Sequence, residues 1–138
     1  MNEHIMGQAS LQAVEGGFLK DCRKEEGAWL LEFSGGLKLE CYCPWRLLQK
    51  GAESRTLIGS RDLELHPDPL ASLAHLLEGY QLNVLHFSPM HDSFQLGLLK
   101  GAERVIIDVL KDSAEKINWK VVGDDFEDSD SARLIENL

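Results

Sequence analysis

Apolar and polar residues alternate along much of this chain, with the two-residue period of a half-buried strand. Trp29, Leu31 and Phe33 alternate with Leu30, Glu32 and Ser34, and Leu37, Leu39 and Cys41 alternate with Lys38, Glu40 and Tyr42. Gly35-Gly36 separates the two runs. A two-residue Gly-Gly turn would set Phe33 against Lys38 and Leu31 against Glu40, charge against core. A three-residue loop, Ser34-Gly35-Gly36, instead pairs Phe33 with Leu37, Glu32 with Lys38, Leu31 with Leu39 and Trp29 with Cys41. Glycine supplies the positive φ that such a loop needs. The pattern therefore predicts a β-hairpin over Trp29 to Tyr42.

A looser copy of this pattern follows. Phe94, Leu96 and Leu98 match Trp29, Leu31 and Phe33 at an offset of 65 residues, and Gly101 matches Gly36. A four-residue loop, Lys100 to Glu103, sets Leu98 against Val105, Leu96 against Ile107 and Phe94 against Val109. Each hairpin is followed by Trp, a basic residue and an apolar one, Trp45-Arg46-Leu47 and Trp119-Lys120-Val121. The expectation is an internal duplication, about 11–63 and 76–123.

The rest of the chain fits around the two hairpins. Phe18 to Arg23 alternates as a first strand, and a four-residue loop, Lys24 to Gly27, places Cys22 opposite Trp29. Pro44 cannot donate to a ladder, so it kinks a strand or sits at an edge. Gln49 to Ser54 reads as a polar loop and Arg55 to Leu63 as a further strand. Asp68-Pro69 is a helix start, an N-cap followed by Pro at the first helical position. With Leu70, Leu73, Leu76 and Leu77 on one face, it predicts one main helix over about 69–78. The fold class expected is α+β: a mostly antiparallel sheet built from two related β-meander halves, with that helix packed on it. Residues 1–123 form a single compact domain, followed by an acidic, solvated or disordered tail over 124–138.

Composition narrows the partners. The chain has 138 residues and a net charge of −9, and no apolar run long enough to span a membrane. No secretory signal is visible at its start, and three cysteines, two as Cys41-Tyr42-Cys43, read as reduced thiols. The expected location is the cytoplasm. Residues 124–138 hold six acids and one arginine. Nucleic acid and anionic membranes need clustered Lys and Arg, so neither is expected, and a basic protein partner is favoured. A homo-oligomer through an exposed sheet edge or tryptophan is a further possibility.

Candidate chemistry is sparse. Cys41 and Cys43 point the same way on a strand and have no second pair, so no metal and no cofactor are expected. His86, His91 and Asp92 flank a Pro-containing loop and give an alternative reading, a small-ligand or hydrolase-like pocket. No catalytic residue is assigned, and the balance leans away from an enzyme. Trp45 and Arg46 are the candidate partner contacts, Trp45 being either a core anchor or an exposed hot spot. The acidic residues Asp124, Asp125, Glu127 and Asp128 complete the candidate surface.

Leu31, Phe33, Gly36, Leu37, Leu39, Trp45-Arg46-Leu47 and Gly59-Ser60-Arg61-Asp62 together resemble small bacterial proteins of unknown function. Some of these are similar to the immunity proteins encoded beside polymorphic toxins. The resemblance implies a non-enzymatic binding protein, an immunity-type inhibitor of a basic partner. The second half has Lys120 in place of Arg46 and no match to Gly59-Ser60-Arg61-Asp62.

Overall fold

Alternation between Ala28 and Cys41 produces a hairpin that sets apolar against apolar. Strands β2 (Ala28–Phe33) and β3 (Lys38–Cys41) are antiparallel, with Trp29 opposite Cys41, Leu31 opposite Leu39 and Glu32 opposite Lys38. The Phe33 N–H donates to the Leu37 carbonyl at 2.8 Å and closes the three-residue loop, where Gly35 and Gly36 take φ of 90° and 93°. The computed structural model describes residues 15–51, 53–88, 93–109, 119–123 and 127–129, with backbone placement alone for 84–88, 93 and 127–129.

Strand β1 (Leu19–Glu25) lies on the other side of β2. The expected four-residue loop is corrected here. Glu25 pairs with Ala28, the turn is Glu26-Gly27, and Cys22 faces Leu31 rather than Trp29. Two-residue hairpins favour turns with positive φ at both central positions, and Glu26 (48°) and Gly27 (82°) supply them. Either register keeps Cys22 on the core face, so the period of two does not separate them. Glutamate is a poor occupant of a left-handed backbone. Glu26→Asn, which creates an Asn-Gly turn, is expected to raise stability by about 1 kcal/mol. A higher urea midpoint at unchanged m-value would register it.

Cys43-Pro44 takes the chain out of this first sheet. Pro44 has no N–H to continue the ladder, and β4 (Trp45–Lys50) begins at once in a second sheet, paired with β5 (Arg55–Gly59). Gln49 and Lys50, expected in a loop, belong to β4. The strand expected over 55–63 stops at Gly59, and Ser60–Leu63 forms a short helix, α1. The Ser60 hydroxyl accepts the Trp45 N–H at 3.1 Å, in place of a ladder carbonyl, and Leu63 enters the core. Helix α2 (Pro69–Leu76) starts where Asp68-Pro69 indicates, the Asp68 carboxylate accepting the Ala71 N–H at 3.1 Å. It packs against β1, and Leu73 and Leu77 are buried.

Strands β6 (Gln81–Ser88), β7 (Ser93–Lys100) and β8 (Glu103–Val109) form a second meander. Phe94 faces Val109, Leu96 faces Ile107 and Leu98 faces Val105, as the spacing predicts. Lys100 also pairs with Glu103, so the loop is Gly101-Ala102 rather than four residues. Two short strands follow, β9 (Trp119–Val122) and β10 (Glu127–Ser129).

The sheet orders are β1-β2-β3-β9-β10 and β5-β4-β8-β7-β6, with every ladder antiparallel. Each sheet takes three consecutive strands from one half of the chain and two from the other. Trp119 therefore lies opposite Cys41, and Trp45 opposite Val109. The inner faces meet. Trp29 of the first sheet contacts Trp45 of the second edge-on, at 5.8 Å between ring centres, and Phe94 of the second stacks on Trp119 of the first at 4.5 Å. Leu31, Leu39, Leu47, Leu96 and Ile107, all fully buried, fill the space around these pairs. Gly16 and Gly17 join the sheets along one edge: the Gly16 N–H donates to the Leu82 carbonyl at 3.0 Å, and the Leu82 N–H to the Gly17 carbonyl at 2.7 Å. The architecture is thus mostly antiparallel sheet with few helices. Among the described residues no helix is long and apolar enough to cross a membrane.

Candidate functional site

With Trp45, Leu47, Val105, Ile107 and Val109 turned to the core, strand alternation sends Arg46, Leu48 and Lys50 of β4, and Arg104, Ile106 and Asp108 of β8, to the outer face of the second sheet. Their registers form rows. Gly59, Arg46, Asp108, Gln95 and His86 lie opposite one another across all five strands. Two of the residues singled out in the sequence, Arg46 and His86, thus share one row.

Asp108 is the centre of that row. Its side chain is only 7% exposed, while that of Arg46 is 44% exposed. Arg46 Nε donates to Asp108 Oδ2 at 3.1 Å, and Gln95 Nε2 donates to Oδ1 at 3.2 Å. A buried carboxylate needs such partners, since its desolvation is costly. The consequence for Arg46 is positional. Among the described residues one charge-assisted bond holds the guanidinium, through Nε, which leaves its terminal nitrogens for another acceptor. An exposed arginine held in place from below loses less conformational freedom on contact with a partner than a mobile one.

The other candidates are distributed differently. Trp45 is 1% exposed and packs on Trp29. It presents no ring to a partner, because alternation turns it inward from the same strand that turns Arg46 outward; the exposed hot-spot reading of this residue is corrected. The registers place Glu127 and Asp128 at the edge of the first sheet, opposite Val122 and Val121. His91, Asp92, Asp124 and Asp125 lie outside the described residues. The pocket postulated around His86, His91 and Asp92 therefore has one described member, on a strand at the edge of the second sheet.

Cys22 and Cys41 lie elsewhere, on the first sheet, and Cys43 lies in the link that follows β3. An open cavity of about 330 Å³ forms where the β1–β2 turn, the β3–β4 link and α1 meet, with Trp29, Cys41 and Cys43 at its wall and Lys24, Arg61 and Glu64 among its charged lining. Burial, with a smaller contribution from Asp21, pushes the Cys22 thiol up to about 12, and burial first, then Cys43 and Cys22, lifts Cys41 well above its ordinary range. Neutral thiols are weak nucleophiles and weak metal ligands. No group of three or more His, Cys, Asp or Glu positioned to hold a metal ion occurs among the described residues.

Asp108 and Gln95 were missed in the sequence. A signal was present: Asp108 is the one acid inside the apolar run Val105-Ile106-Ile107-Asp108-Val109, and the β7–β8 register sets Gln95 against it. Its ion pair with Arg46 was hidden because Arg46 belongs to the other half of the chain. Compared with protein-family models, with curated proteins and with solved structures, the chain finds no match.

Proposed function

We propose that this protein is a non-enzymatic interaction protein, of the kind an immunity-type inhibitor represents, which acts by stoichiometric contact with another protein. The observation that carries this is the Asp108-anchored, exposed Arg46 on the outer face of the second sheet. Such a residue is built to contact rather than to transform: the row offers a fixed donor on a rigid strand. The experiment is affinity capture on the full chain from its native host, beside the same capture with Arg46→Ala. The expected result is one protein retained in stoichiometric amount, weakened by salt and depleted at least tenfold by the substitution, with circular dichroism unchanged. Equal recovery on both chains, or no retained protein, would remove the reading.

The scaffold itself fits a repeated unit. The order β1-β2-β3-β9-β10 corresponds strand for strand to β6-β7-β8-β4-β5, and the first ladder of each sheet is irregular at matching places, between Leu19 and Asp21 and between Leu82 and Val84. In this reading two copies of one five-strand unit have exchanged their tryptophan-bearing strands, and α2 belongs to the connection between them.

A further inference from the structure

We infer that the outer face of the second sheet docks an acidic, extended polypeptide segment; this rests on the interaction reading above and names its partner chemistry. The charge on the molecule as a whole points the other way, and the distribution over the two sheets decides the matter. On its outer face the second sheet carries Arg46, Lys50 and Arg104 against Asp108. That is a local excess of cations in a chain of net −9.

The first sheet differs. Its outer charges neutralise one another within the sheet. Arg23 pairs with Asp21, Glu25 and Glu32, Lys120 approaches Glu40 at 3.9 Å, and Lys38 lies opposite Glu32. On the second sheet Lys50 lies directly opposite Arg104 in the β4–β8 register, both are exposed, and neither forms an ion pair among the described residues. Like charges set directly opposite each other destabilise a sheet. An anion placed between them relieves that repulsion.

The rest of the face suits a second backbone. Between the Arg46–Asp108 row and the Lys50–Arg104 row runs an apolar row, Leu48, Ile106 and Gly97, of which Leu48 is half-buried and Ile106 and Gly97 are buried. Gly97 has no side chain, which lets another chain approach closely. Arg46 and Lys50 are four residues apart on one strand, about 13 Å. Two acids four residues apart on an extended segment match that spacing, with the residue between them over Leu48 and Ile106.

The test uses the full chain, isotopically labelled, and three probes: a peptide repeating Glu-Thr-Val-Thr, which sets acids four residues apart with Val between them (the Glu-Thr peptide), its counterpart with Lys for Glu (the Lys-Thr peptide), and a thymidine decanucleotide. The Glu-Thr peptide is expected to shift the amides of Leu48, Lys50, Gly97, Arg104 and Ile106, with affinity falling at least tenfold at 0.5 M salt and at least tenfold in the Lys50→Glu, Arg104→Glu double variant. No shift on this face, equal affinity in the double variant, or tighter binding of the oligonucleotide than of the acidic peptide would overturn the inference. The captured partner separates this inference from the reading beneath it. If the partner depends on Arg46 but still binds the double variant, or if the Lys-Thr peptide is the one that competes with it, the acidic segment is ruled out and the interaction reading stands.

Discussion

Trp45→Ala is expected to lower the stability of the fold by about 3–5 kcal/mol, the range for removing a large buried aromatic. Trp45 is among the largest fully buried side chains, meets Trp29 edge-on across the two sheets, and sits opposite Val109. Truncation leaves a void between the sheets that their rigid strands close only in part. Against a total stability of about 5–15 kcal/mol for a domain, that loss is a large fraction. Trp45→Phe isolates the cause. It keeps a ring between the sheets and removes the indole N–H, which is buried and finds no acceptor among the described residues. Losing an unsatisfied donor costs little, so the phenylalanine variant should unfold at a denaturant midpoint much nearer that of the parent. If alanine and phenylalanine shifted the midpoint equally, or alanine hardly at all, the central position of this residue would be refuted.

The second large effect is chemical. With its thiol pushed from 9.0 up to about 12, Cys22 should hold about 1,000-fold less thiolate at pH 8 than an unperturbed cysteine, and Cys41 shifts the same way. Native protein is therefore expected to leave both unmodified by an aromatic disulfide reagent at pH 8 over a period in which urea-unfolded protein reacts completely. Peptide mass mapping identifies the positions. Rapid labelling of Cys22 in the native state would contradict their buried placement. The pH dependence of stability has a definite sign. A thiol whose pKa is higher folded than unfolded stabilises the fold fully below pH 9, and that contribution is lost as pH rises through about 12. Tyr42 and Tyr80 are raised too, each by burial first, the former then by Glu40 and the latter by its hydrogen bond to Glu103. Stability should accordingly fall on the alkaline side, with a shallower fall in Cys22→Ala.

Local order was legible in the sequence where one period and one turn settle it. Trp29 to Cys41 admits one register that keeps charge off the core face, and that register is present. The Phe94–Val109 pairing followed from the same argument. Turn length was less legible, because shifts by two residues preserve which face each side chain takes. Glu26 was hard to anticipate at positive φ, since nothing local favours it there. Sheet membership was not legible at all. Pro44 marked an interruption, but whether the strand after it rejoins β3 or crosses to β8 depends on partners 54 to 64 residues away in sequence. The candidate surface followed suit: Arg46 stood out in the sequence, whereas the carboxylate that fixes it lies on β8, in the other half.

The pairing of β3 with the distant strand β9 has a consequence for biosynthesis. Cys41 is paired with Trp119, 78 residues later, and the last pairing of the β3–β9 ladder is at Val122. A nascent chain can form the first meander early, but β3 keeps an open edge until most of the polypeptide has left the ribosome. Pairings this distant in sequence also slow folding, by the entropy of closing long loops. Until closure, Leu39 and Cys41 lack the β9 strand beside them and the opposing sheet over them, so this edge is exposed to aggregation while the chain is being made.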